Sequence, residues 1–121
     1  MIQEQNWPHT DRIIITDEEH HGCVIVDVIK TAENKERYDA DALLWSLWVD
    51  EPYRKKGTAR KLIEIAEREA VKRGCKTMAL EWSREESSVW VARWYEALGY
   101  YVREFGKHSA LQVKKLNKEE I

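Results

Sequence analysis

The residues with the clearest chemical potential lie in a short basic loop between two apolar segments. Residues 50–57 read DEPYRKKG, and Arg60 follows close behind. The first N–H groups of a helix have no intrahelical partner, and the helix dipole places partial positive charge there. Gly57 lets the backbone turn tightly and lets a ligand approach closely. These features predict a seat for a phosphate or pyrophosphate, although a solvated basic turn before a helix has the same pattern.

The elements on either side of this loop follow from hydrophobic periodicity. Residues 42–49 (ALLWSLWV) are apolar almost throughout, which predicts a strand buried on both faces. From Ala59 onward, apolar residues recur at the spacing of one helix face, and Gly74 suits the position after a helix end. The loop therefore follows the carboxyl end of a strand, where open α/β sheets bind their ligands.

Strands and turns are predicted on both sides of this unit. Residues 13–16 and 23–30 are rich in β-branched side chains and predict a hairpin, whereas the polar residues 31–41 predict a loop. Residues 100–105 and 110–116 predict a closing hairpin. Each hairpin would add antiparallel strands to the sheet that the buried strand begins.

A second helix is predicted before the closing hairpin. Residues 76–82 predict a strand, and Ser83 begins an S-x-x-E capping box. A helix start a few residues later, at Ser87 or Ser88, is the alternative, and the helix would end at Leu98. The predicted fold class is therefore α/β (α+β), a mixed twisted β-sheet with two helices in the order β-β-β-α-β-α-β-β.

Length and composition restrict the class of protein. The chain has 121 residues and a net charge of −2, which predicts one domain over residues 1–121 and argues against a nucleic-acid binder. No apolar run reaches the length of a membrane span, and no signal peptide is visible. Cys23 and Cys75 stand far apart, so neither a disulfide framework nor a zinc site is expected, and the predicted location is a reducing cytoplasm. His20 and His21 are predicted to be a solvated pair in a turn.

Two motifs resemble signatures of the GNAT superfamily of acetyl-CoA-dependent N-acetyltransferases. Arg54-x-x-Gly57-x-Ala59 is similar to the Q/R-x-x-G-x-G/A motif of that family, and residues 94–100 (WYEALGY) are similar to its F/L-Y-x-x-x-G-F signature. The order of the motifs and the strand between them agree with the family over residues 42–116. The resemblance implies a GNAT-like fold and acetyl transfer from acetyl-CoA to a primary amine by direct attack in a ternary complex.

The resemblance also implies which residues bind the cofactor. The pyrophosphate would lie on the loop amides, and the pantetheine arm would pair with the strand before the loop, in a wedge beside residues 77–82. Many family members carry Asn near the start of the last helix, where this sequence has a serine. The implied cofactor-binding residues are Leu47, Trp48, Val49, Arg54, Lys55, Lys56, Gly57, Thr58, Ala59, Arg60 and Ser88.

Tyr95 and Glu81 are the candidate catalytic residues. By resemblance, Tyr95 would protonate the leaving thiolate, although a tyrosine that shares an apolar helix face with Val91 and Leu98 also suits a core. An amine must be neutral to attack, and Glu81 would be the base that takes its proton. A strand-end carboxylate that faces solvent is the alternative interpretation of Glu81.

The acceptor side of the site is less defined. The family usually has a strand and one or two helices before the first hairpin, which wall the acceptor groove, and here few residues precede residue 42. Either the groove is open to a large substrate, or a second subunit completes it, or the protein no longer catalyses. Edge strands and six Trp residues favour a homodimer.

Charge indicates the acceptor, and two other functions remain compatible with the sequence. A cationic amine is expected because several carboxylates should lie near the groove: Asp39, Asp41, Asp50, Glu51, Glu81, Glu85 and Glu86. The alternatives to an enzyme are a catalytically silent acyl-CoA-binding module and a Trp-rich protein-interaction domain.

Overall fold

A computed structural model describes residues 1–87 and 90–116 as a seven-stranded mixed sheet in the order β1-β2-β3-β4-β5-β7-β6. The strands are β1 (Ile2–Asn6), β2 (Thr10–Thr16), β3 (Gly22–Ile29), β4 (Ala42–Val49), β5 (Thr77–Ser83), β6 (Tyr101–Phe105) and β7 (Ser109–Lys115). The helices are α1 (Ala32–Tyr38), α2 (Thr58–Lys72) and α3 (Val91–Ala97), with a 3₁₀ turn at Glu51–Tyr53. Strands β4 and β5 are parallel, and the other neighbouring pairs are antiparallel. Within the described ranges, no helix is long and apolar enough to cross a membrane.

Helix α2 forms where the apolar period predicts it. Gly57 before it and Gly74 after it have φ angles of 83° and 84°, in the left-handed region that glycine adopts without steric cost. The helix packs on β2, β3 and β4 through one face. The buried residues of that face are Leu62, Ile63, Ala66, Glu69 and Ala70.

The two sides of the sheet are covered unequally. Helices α2 and α3 pack against the main apolar core on one side, which we call the helical face. The opposite side, which we call the open face, has a small buried cluster where Tyr38 at the end of α1 packs with Ala79 and Val113. Farther along the open face, Ile14 and Ile25 are only half-buried.

Two polar segments form elements that the sequence analysis did not predict. Residues 31–41 do not form a loop, because Thr31 caps α1 by accepting the N–H of Asn34 at 3.4 Å. Strand β1 pairs with β2 across a connection at residues 7–9. The predicted order with two helices is therefore wrong in detail, and the observed order is β-β-β-α-β-α-β-α-β-β. Both missed elements are mostly exposed, so neither has an apolar period.

The capping box at Ser83 does not start a helix. The Ser83 hydroxyl accepts the N–H groups of Glu85 and Glu86 at 3.2 and 3.3 Å, as a cap would, but α3 begins later, at Val91. Arg84 explains the difference, because its backbone N–H donates to the His108 carbonyl at 2.9 Å and holds the turn against the closing hairpin. The alternative start at Ser88 lies outside the described residues.

Candidate functional site

Strands β4 and β5 separate partway along their length. They pair only from Ala42 opposite Met78 to Leu44 opposite Leu80. Strand β4 stays paired with β3 as far as Val49 opposite Gly22. The edge of β4 beyond Leu44 therefore forms no ladder with the described residues of β5. We call this gap the wedge, and its unpaired backbone groups suit an extended ligand.

A β-bulge in β4 lies at the start of the wedge. Cys23 pairs with Trp48 and Ile25 pairs with Trp45, so β4 has one extra residue between these pairs. Ser46 adopts a φ of 52° there, which is left-handed and uncommon for a residue other than glycine. A bulge bends its strand and increases the twist, so it accounts for the divergence of β4 from β5.

The basic loop lies at the carboxyl end of β4. Arg54 Nε donates to the Val49 carbonyl at 2.9 Å and ties the loop to the strand. Lys55 has a φ of 64°, and Gly57 is left-handed as well, so the backbone curls before α2 begins. A Cβ atom built on Gly57 would meet no described atom within 4 Å. The approach to the loop at Gly57 is therefore open to a ligand.

The turn between β2 and β3 supports this loop. His21 stacks on Tyr53 with 3.5 Å between ring centroids and 7° between planes. Lys56 Nζ lies 5.6 Å from the Tyr53 ring centroid, and the Asp50 N–H donates to the His21 carbonyl at 2.7 Å. The prediction of a solvated pair is wrong for His21, which is half-buried, and right for His20, which is exposed. His21 and Tyr53 are 32 positions apart in the sequence, so no local sequence pattern predicts that they stack.

Tyr95 lies on α3, on the helical face of the sheet. Its ring packs edge-on against Trp94 at 5.1 Å and Tyr100 at 6.4 Å between centroids. Burial raises the pKa of the Tyr95 hydroxyl above the ordinary tyrosine value. The hydroxyl is therefore protonated at neutral pH, which is the state that a general acid needs.

Glu81 lies on the opposite side of the sheet. Its neighbours Leu80 and Trp82 are buried in the core of the helical face, so the alternation of a strand directs Glu81 to the open face, where it is exposed. It follows the last residue of β5 that pairs with β4. The two candidate catalytic residues thus lie on opposite sides of the sheet, and the wedge opens between β4 and β5.

The carboxylates expected near the groove divide into two groups. Asp39 forms an ion pair with Arg103 at 3.1 Å, and Asp41 accepts the Lys76 N–H at 2.8 Å. Both aspartates precede β4 and lie at the end of the strand away from the wedge. The group at the carboxyl ends of β4 and β5 comprises Asp50, Glu51, Glu81, Glu85 and Glu86.

Among the described residues, neither cysteine belongs to a metal-binding cluster. Burial raises the pKa of the Cys75 thiol to about 11, so it stays protonated at neutral pH. Cys23 is half-buried, and both thiols are free. Over residues 1–87 and 90–116, no group of three His, Cys, Asp or Glu side chains could hold a metal ion.

Comparison with known proteins identifies the family. The sequence model of the acetyltransferase (GNAT) family matches residues 2–100, which is most of the chain. The chain belongs to the acetyltransferase (GNAT) family. Its activity is acetyl-CoA-dependent N-acetyl transfer, and the predicted fold class and cosubstrate are confirmed. No curated protein sequence matches the chain.

Solved structures of acetyltransferases share this fold. One from Klebsiella pneumoniae, named as an acyl-CoA N-acyltransferase, is 20% identical, with a TM-score of 0.65 over 93% of this chain and 77% of that chain. One from Bacillus anthracis, named as a streptothricin acetyltransferase in complex with acetyl coenzyme A, is 19% identical, with a TM-score of 0.68 over 93% of this chain and 65% of that chain. A GNAT-family structure from Desulfovibrio desulfuricans has a TM-score of 0.71 at 14% identity, over 90% of this chain and 71% of that chain.

Proposed function

We propose that this acetyltransferase is a single domain over residues 1–121 that acetylates a primary amine of a cationic acceptor. Acetyl-CoA would lie on the helical face and pass its thioester into the wedge, and the amine would reach it from the open face. The observation that carries this proposal is the separation of β4 from β5 beyond Leu44, with the basic loop at its end. A path through the sheet lets two substrates meet from opposite sides.

The proposed cofactor contacts follow the wedge. The pantetheine arm would pair with the backbone of β4 at Leu47, Trp48 and Val49, which is unpaired toward β5 in the described structure. The pyrophosphate would accept hydrogen bonds from the amides at the start of α2. The loop residues in this role are Arg54, Lys55, Lys56, Gly57, Thr58, Ala59 and Arg60, and Ser88 stays a prediction outside the described residues.

The proposed chemistry is direct transfer. Glu81 takes one proton from the ammonium group and releases it to solvent, and the neutral nitrogen attacks the thioester carbon. The carbon–sulfur bond then breaks, and Tyr95 gives its proton to the thiolate. The nitrogen loses its second proton to Glu81, and Tyr95 regains a proton from solvent, so the products are the amide, the free thiol and one released proton. The protonated state of Tyr95 at neutral pH, which its burial favours, supports this assignment.

Thermal unfolding with acetyl-CoA tests the loop. A ligand that binds only the folded state stabilises it by about 2.7 kcal/mol at a hundredfold excess over Kd. Gly57→Val should lose most of the affinity, because its side chain would occupy the phosphate approach. Gly74→Val is the matched control, since Gly74 has the same left-handed backbone and equally open surroundings at the far end of α2. Equal calorimetric affinity in the two variants would refute the phosphate seat.

A thiol-release assay over a panel of amines tests the acceptor. We expect polyamines and lysine-containing peptides to give a higher kcat/KM than neutral amines of similar size, because carboxylates cluster at the open end of the wedge. Glu81→Gln should lower kcat about 10²-fold or more if Glu81 is the base. Glu86→Gln is the control for the base, because this exposed carboxylate of the same group should affect the KM for the amine and not kcat. A panel with no preference for cationic amines would contradict the acceptor class.

We also propose that the enzyme is a homodimer. Trp48 and Trp90 are 50% and 66% exposed, and every residue of the edge strand β6 is exposed. Exposed Trp and uncovered sheet edges favour self-association. Sedimentation equilibrium at micromolar concentration decides, because a single species near 14.4 kDa would exclude the dimer at that concentration.

A cytoplasmic location is proposed from the thiols. Cys23 and Cys75 are free, which suits a reducing compartment. Fractionation of cells that produce the full chain should recover it in the cytosolic fraction, and recovery in a secreted or membrane fraction would contradict this.

A further inference from the structure

Gln112 is a polar side chain buried in the core of the helical face. It lies in β7 with none of its surface exposed, between Leu111 and Val113, which belong to the buried cluster of the open face. Burying an amide without hydrogen-bond partners costs several kcal/mol, so a buried glutamine needs a partner for each of its polar atoms. In the sequence it is the single polar residue of the segment ALQV.

Each polar atom of the Gln112 amide has a partner. Oε1 accepts the indole N–H of Trp82 at 2.6 Å. Nε2 donates to the backbone carbonyls of Tyr100 at 2.6 Å and Ala92 at 3.2 Å. An indole N–H can only donate and a carbonyl can only accept, so these partners permit one orientation of the amide. One side chain therefore joins β5, β7, α3 and the segment that leads into β6.

Two of these contacts lie at the two ends of α3, the helix that carries Tyr95. Ala92 lies in the first turn of α3, and Tyr100 follows its end and donates its N–H to the Tyr95 carbonyl at 3.0 Å. The helix has seven residues, and Trp90 before it makes no side-chain cap hydrogen bond. A helix this short is not stable by itself, so tertiary contacts must hold it in place.

We propose that Gln112 is a positioning residue for acetyl transfer, which sets the place of α3 and so of the Tyr95 hydroxyl. The proposal rests on the proposed acid role of Tyr95. A side chain that only fills the core could be apolar, whereas this amide connects both ends of α3 to the strand that also carries Glu81. A small displacement of a catalytic group lowers the reaction rate by a large factor. Loss of the Gln112 hydrogen bonds should therefore lower kcat more than it weakens cofactor binding.

The first test compares Gln112→Met with Val113→Ala. Methionine has a similar length and removes all three hydrogen bonds, whereas Val113→Ala removes buried volume from the next position of β7, on the other side of the sheet. Both variants are assayed at a temperature at which circular dichroism shows them folded. We expect Gln112→Met to lose at least tenfold in kcat with an unchanged KM for acetyl-CoA, and Val113→Ala to keep its kcat. Equal kcat in the two variants would overturn the proposal.

A double-mutant cycle separates this proposal from the role of Tyr95. If Gln112 acts through Tyr95, Gln112→Met causes no further loss of kcat in a Tyr95→Phe background. Independent, multiplicative losses would overturn the positioning role and leave the acid role intact. Full kcat in Tyr95→Phe would remove the acid role and, with it, positioning through Tyr95.

A second variant keeps the test available if Gln112→Met does not fold. Trp82→Phe keeps a large ring and removes only the N–H that fixes the amide. It should reproduce a smaller part of the kcat loss, again without a change in KM for acetyl-CoA. Wild-type kcat in folded Trp82→Phe would overturn the positioning role of Gln112.

Discussion

The two faces of the sheet use different physical means to hold the same strands. On the helical face, α2 buries a continuous apolar core that includes Ile13, Leu62 and Met78, each with 2% or less of its surface exposed. On the open face, the same strands show the half-buried side chains of Ile14 and Ile25. The cofactor is proposed to bind on the closely packed face, and the acceptor on the face that leaves room for it.

Charge and aromatic contacts add to the short helix α1 on the open face. Arg12 forms two hydrogen bonds to Asp27, at 2.8 and 3.1 Å, and Trp45 donates its indole N–H to the same carboxylate at 3.1 Å. The Arg12 guanidinium lies 4.6 Å from the Trp45 ring centroid and 5.1 Å from that of Trp7. Trp7 belongs to the short connection from β1 to β2. A sheet face that one short helix covers only in part can thus also be ordered by a local network next to the wedge.

The largest expected effect concerns the helical face and its proposed acid. Tyr95→Phe keeps the ring and its packing, so it should keep the fold and acetyl-CoA affinity while kcat falls about 10²–10⁴-fold. Steady-state kinetics with an accepted amine measures this. Because burial raises the pKa of Tyr95, the wild-type kcat should keep this acid at neutral and mildly alkaline pH and lose it only above the ordinary tyrosine pKa. An unchanged kcat, with chemistry shown to be rate-limiting, would return Tyr95 to a packing role.

Matched truncations on the two faces test the difference in packing. Leu62→Ala should lower the free energy of unfolding by about 2–5 kcal/mol, because it leaves a cavity under α2. Ile14→Ala, on the open face, should cost about 1 kcal/mol, since much of its surface already meets solvent. Urea unfolding measures both. Equal losses would mean that something covers the open face in solution, such as a second copy of the chain.

An effect smaller than that of Leu62→Ala is expected for the network on the open face. Arg12→Met should destabilise the fold by about 1–2 kcal/mol, because Asp27 loses a charged partner while its side chain stays largely buried. Arg12→Lys is the control, since it keeps the charge and loses the planar two-point contact. The same denaturation measurement checks both. A stability equal to that of the wild type in Arg12→Met would show that the network orders nothing.

The central part of the site was predictable because its signals are local. The buried strand β4, the loop with Gly57 and the periodic helix α2 follow one another in sequence, and each has its own composition or spacing. Strand β1 and helix α1 were missed because exposed, polar residues have no apolar period, and both depend on neighbours or caps. The stack of His21 on Tyr53 was missed because it joins two separate turns.

The sequence by itself determined the family, the order of the central elements and the chemical identity of the loop, because helix period, strand composition and motif spacing are properties of neighbouring residues. The tertiary structure alone decided where β4 leaves β5, since that depends on a bulge opposite β3. It also decided that Glu81 and Tyr95 lie on opposite sides of the sheet, and that Gln112 meets Trp82 thirty residues away. Such contacts form only when distant segments pack together, so no local pattern reports them.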